Sequence, residues 1–203
     1  MSVASRVSRQ VAAAVVATMV AVSSSACGSS HTATAESVPI LDGGGDFALT
    51  DHDGHPFSLA SQRGKVLLIF FGYTFCPDAC PTTLSKLSSV YRKLGDDASK
   101  VKTLYISVDP ERDTPDVLKA DLGNFRIDAI GLTGQKADID KVVQQYGAAY
   151  EIVPTPDSAV KYTVSHTTTL YALDPSGRIR MKFRYEATVD EVVTGLRAIL
   201  AAS

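Results

Sequence analysis

The sequence has no basic excess: 20 Lys and Arg stand against 22 Asp and Glu, a formal net charge of −2 at pH 7. That balance excludes the electrostatic footprint of a nucleic-acid-binding domain. Beyond the N-terminal thirty residues no run is apolar enough to cross a bilayer, which takes about 20 consecutive apolar residues. Cysteine is scarce. The three present, Cys27, Cys76 and Cys80, are an odd count that allows one pair and leaves one thiol over.

What is present at the N-terminus has the pattern of an export signal. Arg6 and Arg9 precede the short apolar stretch Val11–Val22, and Ser23-Ser24-Ser25-Ala26 supplies small residues for cleavage. Residues 1–26 are therefore expected to be a bacterial lipoprotein signal peptide, with Cys27 acylated as the mature N-terminus. An ordinary secreted protein with an incidental Cys27 is the alternative. Residues 27–40, rich in Gly, Ser, Thr and Ala over Gly28–Glu36, read as a flexible tether. That leaves 41–203 as one domain of about 160 residues, long enough for a substantial core. The expected location is the extracytoplasmic face of the cytoplasmic membrane, lipid-anchored, where a disulfide is permitted.

Along the domain the periodicity alternates between strand and helix. Phe47-Ala48-Leu49 and Phe57-Ser58-Leu59 flank a turn at Asp53-Gly54, which predicts a hairpin. Lys65–Tyr73 reads as a central strand covered on both faces. Leu84, Leu87, Tyr91 and Leu94 recur at helical spacing between Pro81 and Gly95. A second strand is predicted over Val101–Val108, and a helix start at Thr114-Pro115. Ile139, Val142, Val143 and Tyr146 mark another helix over Lys136–Tyr146. Thr167–Leu173, the turn Asp174-Pro175-Ser176-Gly177 and the alternating Arg178–Tyr185 predict a second hairpin, with Arg178, Arg180, Lys182 and Arg184 on its wet face. A last amphipathic helix runs from Thr188 to Leu200. Strand–helix–strand followed by an antiparallel pair and a helix predicts an α/β, thioredoxin-like fold: a mixed central sheet with helices on both faces and an added N-terminal β-hairpin.

The chemistry concentrates in Cys76-Pro77-Asp78-Ala79-Cys80, at the junction of the buried strand and the first helix. Two helix starts are possible. Pro81 at the first helical position would make Cys80 the N-cap, surrounded by free N–H groups that favour its thiolate. A start at Pro77 would place both cysteines on helical spacing, about 5–6 Å apart at Cβ. A relaxed disulfide needs about 3.8 Å, so that start tilts the pair towards a shared metal ion without deciding it. Two thiolates are too few for a closed zinc site, and a soft two- or three-coordinate ion such as Cu(I) fits better. A redox-inactive or surface disulfide pair is the plain alternative.

His166, on a Val-Ser-His-Thr loop before a predicted central strand, is the candidate third ligand, although a hydrogen-bonded structural histidine is the commoner occupant of such a place. His31 lies in the tether. His52 and His55 fall in a polar turn and are expected to be solvated. Asp109 and Asp113 are turn and helix-start residues that can also orient the dithiol loop.

Gly72-Tyr73-Thr74-Phe75-Cys76-Pro77-Asp78-Ala79-Cys80-Pro81 closely resembles the copper-site motif of the SCO/SenC family. The resemblance extends to Phe47–Leu59, to Ser107-Val108-Asp109-Pro110-Glu111-Arg112-Asp113-Thr114-Pro115, and to Val164-Ser165-His166 followed by Tyr171 and Asp174-Pro175-Ser176-Gly177. It implies a membrane-tethered metallochaperone rather than an enzyme. Such a protein binds one copper ion, Cu(I) or Cu(II), through Cys76, Cys80 and His166, and delivers it to the binuclear site of cytochrome c oxidase subunit II. A Cys76–Cys80 disulfide would remove two of the three ligands, so redox state would gate loading. Asp78 adds negative charge beside the cation. The alternative function is a thiol-disulfide oxidoreductase that keeps the oxidase copper-site cysteines reduced. Against it, three residues separate the thiols where the usual redox pair has two. A peroxidase of the peroxiredoxin kind needs Pro-x-x-x-Thr-x-x-Cys, whereas Thr74 lies two residues before Cys76.

Overall fold

A central strand buried along its whole length organises the domain. The computed structural model describes residues 38–203; the signal segment 1–26, Cys27, His31 and the tether up to residue 37 lie outside the described residues. All seven residues of β3 (Val66–Gly72) are buried. Each apolar side chain so placed contributes about 1.5–3 kcal/mol relative to exposure. A strand of this kind needs partners on both edges, and β3 has them. It pairs parallel with β4 (Val101–Ser107) and antiparallel with β8 (Leu170–Leu173).

The predicted N-terminal hairpin forms from β1 (Ala48–Asp51) and β2 (Pro56–Ser58). Its turn holds because Asp51 Oδ1 accepts the N–H groups of Asp53 (2.9 Å) and His55 (2.8 Å), and Gly54 adopts φ +80°. The hairpin joins the sheet through β5 (Ala129–Thr133), antiparallel to β1 and parallel to β4. The C-terminal hairpin continues the other side through β9 (Ile179–Phe183), giving the order β2-β1-β5-β4-β3-β8-β9. Four helices complete the domain: α1 (Ala79–Leu94), α2 (Pro115–Leu122), α3 (Lys136–Gln145) and α4 (Val189–Ala201). Phe71 meets Tyr146, beyond the end of α3, with ring centroids 6.1 Å apart. Leu68, one face away, is the register partner of Ala172, itself opposite Met181, against which Gly195 of α4 is packed. Successive strand residues point to opposite faces, so α3 and α4 cover opposite sides of the sheet. The architecture is thioredoxin-like, as expected.

Two helices begin on side-chain caps, the first of them the one that the sequence suggested. Thr114 accepts from Val117 N–H at 3.4 Å ahead of Pro115. Thr188 and Glu191 form a capping box. The strand β5 was absent from the sequence reading because it is short and has Gly131 at its centre. A Cβ there would sit 3.0 Å from Leu118 and Leu122, so the glycine is what lets α2 pack against the strand. Also unforeseen are β6 (Tyr150–Pro154) and β7 (Tyr162–His166), a two-stranded ribbon that pairs with no strand of the main sheet.

The cationic stripe of the C-terminal hairpin is corrected at one position. Arg180 is buried rather than solvated. Its guanidinium lies 3.1 Å from Asp174 Oδ2 and donates to the carbonyls of Val38 and Pro39. The incoming chain segment covers this part of the strand, and alternation within Arg178–Tyr185 alone could not reveal that cover. Asp174 also accepts from the N–H groups of Ser176 (2.9 Å) and Arg178 (3.1 Å). Burial works against the Asp174 anion, but Arg178 and Arg180 hold its carboxyl below the usual carboxylate range. Asp174→Ala is expected to cost about 3–5 kcal/mol in urea unfolding, because it strands the Arg180 charge. Arg178→Ala, whose side chain is 51% exposed, should cost less than about 1 kcal/mol.

Candidate metal centre

The loop after β3 holds Cys76, and α1 begins between the two predicted starts, with Asp78 as N-cap and Cys80 as the second helical residue. Cys80 is therefore not the capping residue. Its N–H instead donates to the Cys76 sulfur at 3.4 Å, so the helix N-terminus serves the first thiol. The neighbouring Cys80 thiol is the largest influence holding the Cys76 thiol far below its ordinary range. Burial opposes the shift, and His166 and the backbone N–H groups of Asp78 and Cys80 add to it. Cys80 moves the other way, raised first by the neighbouring Cys76 sulfur and then by burial. One thiol is half-buried and disposed to ionise; its neighbour is buried and keeps its proton. Both are free.

His166 completes the group. It is the last residue of β7, opposite Tyr150, rather than part of a loop. Its Nε2 lies 3.4 Å from Cys80 Sγ, and its Nδ1 lies 3.1 Å from the Thr167 carbonyl. With Nδ1–H donated to that carbonyl, the Nε2 lone pair faces the sulfur. Phe70 and Tyr73 meet the imidazole edge-on, with centroids at 6.0 and 5.8 Å. The ligating atoms of Cys76, Cys80 and His166 all lie within 4.8 Å of one another. One ion with bonds of about 2.0–2.3 Å can touch all three after small adjustments. The donors, two sulfurs and one imidazole, suit a soft or borderline ion.

The ribbon that carries His166 is held by side chains rather than by the main sheet. The Tyr73 hydroxyl accepts from Val164 N–H at 3.2 Å. Arg112 donates to the carbonyls of Val160 and Tyr162, both at 3.1 Å, and stacks on the Tyr162 ring 3.7 Å from its centroid. Asp109 anchors that arginine at 2.5 Å and accepts the Tyr162 hydroxyl at 2.8 Å. Asp113, fully buried, accepts from Thr74 N–H (3.1 Å), Thr74 Oγ1 (2.6 Å) and Ser107 Oγ (2.6 Å), which fixes the start of the dithiol loop. Burial pushes the Asp113 carboxyl up, and the Ser107 and Thr74 bonds counter it. Both aspartates thus orient the site, Asp113 from the thiol side and Asp109 from the histidine side. Arg112 is the residue that sequence reasoning passed over. Its Glu-Arg-Asp setting was visible, but its targets are main-chain carbonyls about fifty positions away.

The other histidines stand apart. His52 is not solvated: its Nδ1 accepts from Gly131 N–H at 3.1 Å, which ties the turn to β5. His55 is exposed. Asp51, Asp53 and His55 also lie within 4.8 Å of one another, but Asp51 is taken by the turn and Asp53 pairs with Lys119 at 2.6 Å. Asp78 is exposed at the rim of the thiol site. There a shallow pocket of about 360 Å³, lined by Cys76, Pro77, Asp78, Val153 and His166, leaves one side open.

Residues 37–201 match the family model described as SCO1/SenC. The SCO2-like protein RP587 of Rickettsia prowazekii is 35% identical over 150 residues, covering 74% of this chain and 73% of that protein. The structure of Bradyrhizobium japonicum ScoI with copper bound aligns with a TM-score of 0.69 and 44% identity, over 77% of this chain and 98% of the other. BsSco, described with a disulfide switch and as a member of the Sco family of cytochrome c oxidase assembly proteins, aligns with a TM-score of 0.64 and 25% identity, over 81% and 98%.

The thiol asymmetry has a direct consequence. In the reduced, metal-free protein, iodoacetamide should label Cys76 and spare Cys80, as peptide mass mapping would register. Because the Cys76 thiol is held low, its labelling should slow far less between pH 8 and pH 6 than that of a free cysteine. Cys80→Ala removes the largest of these influences and should move the pH dependence part of the way back toward that of a free cysteine, the helix N–H groups and His166 remaining.

Proposed function

Since the chain belongs to the SCO1/SenC family, we propose that it is a membrane-anchored copper metallochaperone that delivers its ion to the binuclear copper site of cytochrome c oxidase subunit II. Sco-family proteins bind copper and act in oxidase assembly. The observation that carries the reading is the meeting of His166 Nε2 with Cys80 Sγ at 3.4 Å, beside a Cys76 sulfur that already accepts a helix N–H. Copper is the cargo of this site. Cys76, Cys80 and His166 hold it; two thiolates suit Cu(I), and the imidazole keeps Cu(II) acceptable. Three ligands and an open pocket leave an edge from which an incoming thiolate of the recipient can take the ion stepwise. A Cys76–Cys80 disulfide would withdraw two ligands and block loading. In this reading Cys27 carries the lipid that keeps the domain at the extracytoplasmic face, with residues 27–40 as its tether.

A thiol-disulfide reductase is the second reading, favoured by the pairing of an accessible low thiol with a buried protonated one. Cys76 thiolate would attack a client disulfide, release one client thiolate and form a mixed disulfide. Cys80 would then displace the second client thiol, leaving a Cys76–Cys80 disulfide that an external dithiol must reduce. His166 forms and breaks no bond in that exchange, although it helps to keep Cys76 ionised, so its effect on copper affinity is what separates the two.

Titration of the reduced protein against competing chelators should give one copper per chain. Cys76→Ser and Cys80→Ser should each abolish tight Cu(I) binding. His166→Ala should weaken Cu(II) by more than about 100-fold, beyond the usual effect of losing an outer-shell partner, and Cu(I) less. Affinity should fall as the pH is lowered, because the imidazole must be neutral and both thiols ionised. A His166→Ala protein with unchanged Cu(II) affinity and full disulfide-reducing turnover would favour the reductase.

A further inference from the structure

The strand that ends on His166 begins on a backbone turn that the fold has to hold in place. Lys161, directly before β7, has φ +61° and is the one non-glycine residue with positive φ among the described residues. That region is costly for a lysine, whose side chain offers no local hydrogen bond in compensation. Across it the Tyr162 N–H donates to the Val160 carbonyl at 2.7 Å, closing a three-residue γ-turn. Such a conformation persists where surrounding contacts over-determine it, and Arg112 supplies two of them. Its Nη1 donates to the carbonyls on either side of Lys161, those of Val160 and Tyr162, both at 3.1 Å. The same guanidinium packs on the rings of Tyr162 and Phe75, 3.7 and 4.8 Å from their centroids. Phe75 directly precedes Cys76 in the chain. Arg112 Nη2 is buried and has no hydrogen-bond partner among the described residues. The arginine thus leaves one donor unused in order to reach both carbonyls and both rings.

We propose that Arg112 is a positioning residue: by clamping the turn on Lys161 it decides whether His166 reaches the ion, and so how well the site holds Cu(II) relative to Cu(I). The idea rests on the metallochaperone reading and assigns the choice of oxidation state to a residue that is not itself a ligand. At about 3.3 Å per residue, turn and imidazole are the two ends of one strand about 13 Å long. Tyr73 holds the middle of that strand at Val164 N–H, 3.2 Å away. Arg112 holds its start. With only the middle fixed, the end that carries His166 is free to swing from the sulfurs. The dithiol loop is fixed separately, by Asp113 through Thr74, and stays in place. Two sulfurs alone still suit Cu(I), whereas Cu(II) calls for the imidazole. Lysine would not serve in place of the arginine, because a point charge has no flat face to lie on two rings.

Arg112→Met keeps a long side chain and removes the donors. In the full reduced chain without metal, amide hydrogen exchange over 160–166, read by mass spectrometry, should quicken about tenfold, the size expected for one charged hydrogen bond. Exchange in α1 should match the parent. On loading, Cu(II) affinity should fall about tenfold and Cu(I) affinity by less than about threefold. Added to His166→Ala, the substitution should have no further effect on Cu(II), because the arginine acts through the imidazole. Removing the arginine leaves the Asp109 carboxylate, 2% exposed, without its cation. Should Arg112→Met not fold, Asp109→Asn combined with Arg112→Met takes away both charges and carries the same expectations. Equal losses of Cu(II) and Cu(I), unchanged exchange over 160–166, or a Cu(II) loss that adds to that of His166→Ala overturns the proposal. If His166→Ala by itself left Cu(II) affinity at the parent value, the third ligand of the chaperone reading would fall first. A damaging His166→Ala beside a harmless Arg112→Met would remove only the clamp.

Discussion

The site exists because a ribbon outside the main sheet is held against the ends of β3 and β4 by a few polar contacts. β6 and β7 pair with no strand of the central sheet, so the sheet ladder does not place His166. The Tyr73 hydroxyl, holding Val164 N–H, and Arg112, holding two carbonyls of the ribbon, do that work. Tyr73 belongs to the same loop as Cys76, and Arg112 lies one residue from Asp113, which fixes that loop through Thr74. Thiols and imidazole are therefore registered to one another through a common set of side chains. A charged donor to a neutral carbonyl contributes about 1.5–3 kcal/mol. That is enough to hold the ribbon in place.

Within that frame the two sulfurs are made unequal by their surroundings. The first turn of α1 directs an N–H at Cys76, while Cys80 sinks into the core beside His166. An ion entering from the open side meets the ionised sulfur first. It then gains the second sulfur and the imidazole, at the cost of one proton released from Cys80. The inequality suits capture and hand-over, and it equally suits attack on a disulfide. The two readings therefore differ at His166 rather than at the cysteines.

Much of this was legible in the residues, for identifiable reasons. The strand β3 showed itself as an unbroken apolar run, α2 through Thr114-Pro115, α4 through its amphipathic pattern from Thr188 to Leu200, and the terminal hairpins through Asp-Gly and Pro-Ser-Gly turns. The dithiol was plain from its spacing, and the candidate ligands were named without coordinates. What stayed hidden depends on distant partners. β5 has a glycine at its centre because α2 leans on it. β6 carries mostly exposed residues and no core pattern. Arg180 looked solvated until the segment at Val38 covered it. The start of α1 was balanced between two prolines, and the fold settled on Asp78 between them, which moved the helix N–H from Cys80 to Cys76. Each of these is a tertiary decision that local pattern does not record.

The central claim is that an imidazole from the far end of the chain and two sulfurs from the first helix junction share one ion. X-ray absorption at the copper edge of the Cu(I)-loaded, reduced protein addresses it most directly. The account predicts two sulfur neighbours and one nitrogen neighbour, with the outer-shell scattering of a histidine ring that disappears in His166→Ala. Two sulfurs alone in the parent protein, with a spectrum unchanged by that substitution, would contradict it.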